Sequence, residues 1–451
     1  MSGTSSRSAT ATASQDGQAD HLRLRPNRDF SLLWCGQTVS ALGSATSVLA
    51  FPLLVLAITG SAIQAGAVGT AVAIVRAAFR LPGGALADRW NRRGVMLTCD
   101  AGRIVLFTTL TVVVATGQAT LALIVAIAVT AAVLDVLFQP AAMAAVSQLV
   151  PVEQLPEAFG RNEAGTYAAS LAGPPLGGAL FGIARSVPFA FDALSYVVSF
   201  VTLAAIRRPF QGERAKQVRQ PLTREIRAGI TYVRNSDFLG ALILLFAFVD
   251  FAFLGAMFTV VVVLRQAGNA AGVVGLAQAV IAIGGLLGAF AASWLQRHAP
   301  FRRLITSTTA ILCVCMAVSA VLSGRLIMVL PVSVALFLAP ALNAAIFSHL
   351  AATTPEHLQG RIISVVIFSS GAAASFAPLT MGLLINHLGG TVAMAVGAVV
   401  AALSVLTALT SRGLKPDTGV ESALSGSLAR LGTAAPYHHN RRPPARPPPD
   451  L

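Results

Sequence analysis

The sequence predicts an all-α membrane protein of twelve transmembrane helices in two pseudo-symmetric six-helix halves. Three observations predict it: too few charges for a water-facing surface, apolar runs of membrane-spanning length, and landmarks that recur at one fixed offset. Of 451 residues, 55% are apolar and 11% charged, against about a quarter charged in a soluble domain. A bilayer removes the need for a polar coat, and about 20 apolar residues cross it as a helix.

Apolar runs between breakers place the spans at 30–58, 62–86, 94–116, 119–149, 163–184, 187–206, 238–264, 270–294, 302–322, 326–350, 361–386 and 390–410. Residues 1–28 lack an apolar core with a small-residue cleavage site, so they read as a disordered tail and the first span as its own insertion signal. Residues 29–206 form the N-terminal half and 238–410 the C-terminal half. The linker 207–237 is the longest interior polar stretch. Its Leu222, Ile226, Ile230 and Val233 have helical spacing, which fits an amphipathic helix on the membrane surface or a solvated loop helix. Residues 411–451 end in RRPPARPPPDL, a disordered tail with polyproline character.

The connections alternate in charge. Turns after odd-numbered spans hold Arg185, Arg265 and Arg325. The other connections hold Arg89, Arg92, Arg93, Arg161, Arg297, Arg302, Arg303 and Arg361, with more in the linker. Excess Lys/Arg marks the cytoplasmic side, so an even span count puts both termini in the cytoplasm of a multi-pass inner (plasma) membrane protein. The net charge of +14 is thus topological, and no nucleic-acid partner is expected; the bilayer is the partner. Cys35, Cys99, Cys313 and Cys315 fall in spans or at their ends without metal-site spacing, so neither a metal site nor a disulfide framework is expected.

The halves repeat. GALADRW at Gly84 faces GAFAASW at Gly288, PVEQL at Pro151 faces PEHL at Pro355, and Gly173-Pro174 faces Ala377-Pro378, each 204 residues apart; Gln139 and Asn343 match at the same offset. Two six-span halves in parallel repeat are a known transporter construction, with the substrate site near the midplane between them.

The loop G84-A-L-A-D88-R89-W-N-R92-R93 resembles the signature loop of the major facilitator superfamily, departing from it at Asn91. The second copy has Ala292 at the Asp88 position. FQPA from Phe138, LVPVEQLPEAFGRN, GPPLGG, FDALSYVVSF and LQGRIIS resemble the drug- and siderophore-exporting branch, over about residues 29–410. The resemblance implies the major facilitator fold. It implies that Gly173, Pro174, Gly177 and Gly178 form a glycine-proline motif associated with antiporters. It also implies that Asp88 meets the helix start near Arg361 and gates the cytoplasmic side.

A charge mid-membrane costs about 2.5–3.5 kcal/mol on insertion scales, so each is a functional candidate. Asp135 lies mid-span four, beside Phe138 and Gln139. Asp250 lies mid-span seven, beside Phe246 and Phe253. Either acid can carry a coupling proton or bind a lipophilic cation against the aromatics, or serve as a structural partner of an arginine. Arg76 is mid-depth on span two and is expected to pair with Asp135. Asp100 and Arg103 are placed in the inner part of span three, joining Asp88, Arg89, Arg92 and Arg93 in a cytoplasmic charge network with Gly84 and Arg361.

No phosphate-binding Gly-x-x-x-x-Gly-Lys-Ser/Thr run and no paired catalytic acids occur, so neither an enzyme nor a cofactor is expected. The expected function is proton-coupled export of a small amphipathic drug, antibiotic or siderophore by a monomer. Import or facilitated diffusion of a small metabolite, or a non-transporting sensor or scaffold of this fold, are the alternatives.

Overall fold

A computed structural model of the chain describes residues 27–87, 91–206, 236–353 and 356–411. The expected tails, most of the linker, Asp88 and Arg89 lie outside them. Thirteen α-helices make twelve spans among the described residues. In the first half these are α1 (Arg28–Thr59), α2 (Ala62–Ala87), α3 (Arg92–Ala115), α4 (Leu121–Leu149), α5 (Leu155–Ile183) and α6 (Val187–Ala205). The second half has α7 (Asp237–Gln266), α8 (Ala271–His298), α9 (Phe301–Val321), α10 (Val329–Thr353), α11 (Glu356–Ala374), α12 (Ala377–Leu388) and α13 (Gly390–Thr410).

Local chemistry sets several ends. Asn27 caps α1 by accepting from the Asp29 and Phe30 amides, and its Nδ2 donates to Leu149 O at 2.7 Å, tying α1 to the end of α4. Asn91 caps α3 in the same way. Gly60 closes α1 in the left-handed region at φ 65°, which a residue without Cβ adopts freely.

Two spans differ from the sequence expectation. The sequence predicts span five at 163–184, but α5 starts at Leu155, with Pro156 in its first turn. The polar run Glu157 to Glu163 is therefore helix, pinned by Arg161 donating to Glu157 at 2.9 Å. Among the described residues eleven spans are apolar enough to cross a membrane by length and composition, and α5, with Gly and Pro in its second part, falls short. Span eleven was expected as one run over 361–386 and is instead interrupted at Ser375–Phe376 between α11 and α12. Pro378 has no N–H and disfavours helix before it. The Leu379 amide donates across the halves to Thr70 Oγ1 at 3.1 Å.

Packing reproduces the repeat. In the first half α1 packs on α5 and α6, α3 on α4 and α6, and α2 on α4. In the second, α7 packs on α11, α12 and α13, α9 on α10 and α13, and α8 on α10. The halves meet through α5 against α8 and α2 against α12, again a related pair. Both seams are built from glycine. A Cβ on Gly178 or Gly275 would strike Ala271 O or Pro174 O, and one on Gly66 or Gly382 would strike Pro378 O or Ala62 O. In lipid, where helix association has no hydrophobic drive, such small-residue contacts let backbones approach closely.

These seams lie at one end of the bundle. There a single apolar core draws on both halves, from Leu53 and Phe189 to Val262 and Met316. At the other end each half keeps its own core, one around Phe138, Val146 and Leu203, the other around Leu242, Ile346 and Val366. The bundle is thus closed at one end and parted at the other. Arg28, Arg92, Arg93, Arg161, Arg297, Arg302 and Arg303 stand at the parted, basic end, and Arg185, Arg265 and Arg325 at the closed end.

Candidate functional site: a charge cluster at mid-depth

Four polar side chains converge at the middle of the first half. Arg76 is near the centre of α2, Arg103 of α3 and Asp135 of α4. Asp135 stands between the two arginines, with Arg76 Nη2 3.6 Å from its Oδ2 and Arg103 Nη2 3.3 Å from its Oδ1. Arg103 in turn stands between two acids, since its Nη1 is 3.5 Å from Asp100 Oδ1. Asp100 also accepts from Ser199 Oγ of α6 at 2.7 Å. The charges of the four balance.

Burial divides the cluster. Asp100 and Arg103 are sealed, at 0% and 3% exposure, while the Arg76 and Asp135 side chains retain 51% and 37%. Arg76 lies two turns from Gly69 on the same face of α2. Gly69 faces Pro378 of the second half, so Arg76 faces the region where the halves part. The Arg103 guanidinium lies over two rings, 4.8 Å from Phe138 and 5.2 Å from Tyr196. These cation–π contacts and the two carboxylates hold a buried cation in place. The Tyr196 hydroxyl in turn bonds Ser44 Oγ of α1 at 2.9 Å.

Asp100 and Arg103 thus depart from the expected cytoplasmic network. Because α3 begins at Arg92, Arg103 is twelfth of 24 residues and sits at mid-depth, where it pairs with Asp135. Arg93 stays at the basic end, donating from Nη2 to Ala204 O of α6 at 2.7 Å. Arg92 is half-buried beside it on α3. Asp88 and Arg89 lie outside the described residues. Gly84 falls on α2 and Arg361 on α11, and the side chain of Arg361 is likewise outside the described part.

The second half brings less together. Asp250 is half-buried at the middle of α7 with the Ser370 hydroxyl of α11 beside it, and no arginine or lysine pairs with it among the described residues. Phe246 is buried and stacks on Phe347 at 6.1 Å, and Phe253 packs against the shared core. Phe138 is buried beneath Arg103 and so positions the cluster, while Gln139 is exposed. The glycine-proline motif is the closed seam itself: Gly173 packs on Ala45 and Gly177 on Thr46 of α1, and Pro174 and Gly178 meet α8. Among the described residues no group of three acids, histidines or cysteines can hold a metal ion.

One acid escaped the sequence reading. Asp192 on α6 is fully buried, with Ser195 Oγ 3.3 Å from its Oδ1. Its signal was present: Asp192, Ser195, Tyr196 and Ser199 form a polar stripe at helical spacing in an apolar span.

The comparisons agree with this architecture. Macrolide efflux protein A of Streptococcus pyogenes is 26% identical over 216 residues, 48% of this chain and 53% of its own length, so the chain spans about half of that relative. The multidrug efflux pump Tap of Mycolicibacterium fortuitum is 29% identical over 383 residues, 79% of this chain and 89% of the pump. Among solved structures, the nucleoside transporter NupG superposes with a TM-score of 0.69 at 10% identity, covering 86% of this chain and 98% of that one. A bacterial homologue of the human lysosomal transporter Spinster, in an inward-facing conformation, superposes with a TM-score of 0.65 at 16% identity, covering 87% and 97%. The family model of the Major Facilitator Superfamily matches residues 33–349, and with the duplicated twelve-span bundle this establishes that the chain belongs to the major facilitator superfamily.

Proposed function

We propose that the protein is a proton-coupled antiporter that exports small amphipathic cations from the cytoplasm by alternating access. One observation carries the reading. Asp135 is half exposed at mid-depth of the parted end, between a sealed arginine and an exposed one. The Arg76 pair, at 3.6 Å, is longer than a hydrogen bond and lies partly in solvent, so it holds Asp135 weakly. A proton or a cationic substrate at Asp135 displaces the same partner, and two ligands that compete for one carboxylate exchange for one another. The Arg103 guanidinium stays with Asp100 and keeps the carboxylate oriented.

The parted end carries the arginine excess, which by the positive-inside rule is cytoplasmic. Both termini then lie in the cytoplasm, and the protein works as a monomer in the inner membrane. The described conformation is the inward-open one, in which Asp135 receives substrate. Closure at the basic end uses the Asp88 loop that the family resemblance implies; Asp250 on α7 serves the second half, as Asp135 with Gln139 on α4 serves the first. The similarity to macrolide and multidrug efflux proteins favours export of such compounds over import or a sensor role.

The test is substrate-driven proton release from the purified protein in weakly buffered detergent solution. The wild type releases protons on addition of a lipophilic cation, and Asp135→Asn does not. Release that is unchanged in Asp135→Asn removes that carboxylate from the role. Absence of release with a broad panel of amphipathic cations contradicts proton antiport.

A further inference from the structure

The balanced cluster leaves Asp192 over. This carboxylate is fully buried, five residues into α6, roughly 8 Å inside the closed end at the rise of an α-helix. It fits against α1 because Gly43 has no side chain: a Cβ there would come 2.7 Å from Asp192 Oδ1. Ser195 Oγ lies 3.3 Å from that oxygen. The Ser47 hydroxyl of α1 is its other neighbour, yet neither Ser47 Oγ nor Asp192 Oδ2 closes a hydrogen bond of good geometry. Both are buried, Ser47 at 3% exposure and Asp192 at 0%.

The surrounding charges do not neutralise it. Arg103 from α3 and Asp135 from α4 are the charged groups that act on Asp192, and Tyr196 of α6 itself is coupled to it. Arg103 is committed to Asp135 and Asp100, and the Tyr196 hydroxyl to Ser44. α1 contributes only hydroxyls. An isolated ionised carboxylate is not tolerated in such a site, so a bound cation must supply the missing positive charge. A proton on the carboxylate, or a sodium ion taking oxygen ligands from Asp192 and Ser47, uses the two open atoms.

We propose that Asp192, Ser47 and Ser195 form an occluded binding site for the coupling cation, a proton or a sodium ion, separate from the substrate-facing Asp135. The inference rests on the antiport reading and assigns its driving ion a second place in the fold. The site is tied to the outer seam. A Cβ on Gly177 of α5 would meet the Thr46 backbone, next to Ser47, and Gly178 one residue on meets Ala271 of α8. Parting of α5 from α8 therefore acts directly on the segment of α1 that covers Asp192, and exposes the site from the closed end.

The experiment uses full-length protein in proteoliposomes. Substrate accumulation is measured under a pH gradient in sodium-free buffer and, separately, under a sodium gradient at equal pH. One of the two drives the wild type, and that identifies the cation. Asp192→Asn loses its response to that gradient. Ser47→Ala raises the half-saturating concentration of the cation roughly two- to tenfold, the worth of one hydrogen bond. Wild-type gradient response in Asp192→Asn overturns the assignment, as does an unchanged half-saturating concentration in Ser47→Ala, which decides the matter if Asp192→Asn fails to fold. A wild type that neither gradient drives refutes the antiport reading itself, and the coupling site with it.

Discussion

Replacing Arg103 by methionine tests the buried part of the cluster. The substitution keeps much of the apolar stem and removes the guanidinium that Asp100 and Asp135 share. Asp135 keeps Arg76 and 37% exposure, so its loss is small. Asp100 keeps only Ser199 and has no exposure; an uncompensated buried charge of this kind costs about 3–5 kcal/mol. For a cooperative unit the size of one half, at about 2–4 °C per kcal/mol, the melting temperature falls by roughly 6–20 °C. Thermal unfolding of the purified protein in detergent, followed by intrinsic fluorescence, reads this directly. Arg103→Met/Asp100→Asn removes the stranded charge and recovers most of the loss. A single variant that melts within about 2 °C of the wild type, or a double variant no more stable than the single, would refute the reasoning.

Other outcomes follow from the same geometry. Ser199→Ala removes the hydroxyl donor to Asp100 and lowers stability by about 1–3 kcal/mol, the range for a buried acceptor left unsatisfied, measured by the same melting assay. Gly178→Val places a side chain against Ala271 O; overpacking of about 1–3 kcal/mol shifts the open–closed balance of that end roughly 5- to 150-fold. Labelling of a cysteine introduced near Arg185 by a membrane-impermeant maleimide then rises, and unchanged labelling counts against the seam as a gate. Arg76→Gln leaves Asp135 paired to Arg103 alone, so it folds normally and alters the substrate dependence of proton release; a large loss of melting temperature would show that this exposed pair is structural. Thr70→Val removes the hydroxyl that accepts from the Leu379 amide, and the same labelling assay reads a weaker hold at the interrupted span.

The architecture was legible because bilayer thickness and charge asymmetry act along the chain, where a sequence shows them. The 204-residue offset of Pro174 and Pro378 reappears as two related seams, each meeting its partner helix at residues 209 apart, Ala62 and Gly66 against Ala271 and Gly275. Depth alone foretold that Arg76 and Asp135 stand near one another. The second partner of Asp135 was not legible in the same way. Arg103 is drawn to Asp135 by the packing of α3 against α4, and its neighbours along the chain, Asp100 and the arginines of the basic loop, point to the cytoplasmic side instead. Asp192 follows closely on the start of its span, where an acid reads as interfacial. Only the approach of α1 at Gly43 seals it. Tertiary contacts of this kind are carried by small residues and hydroxyls, which leave little trace in hydropathy. The break before α12 had a visible cause in Pro378, yet Pro140 and Pro174 sit inside unbroken helices, so proline alone does not locate an interruption.

The most direct measurement is uphill transport by the purified protein in proteoliposomes of known orientation. With the compartment facing the closed end made acidic, and sodium present equally on both sides, the wild type accumulates a lipophilic cation there. Accumulation collapses on addition of a protonophore, and Asp135→Asn shows none above empty liposomes. Equal distribution of the cation across the membrane under the gradient, or accumulation that survives the protonophore with no other ion gradient present, contradicts the account.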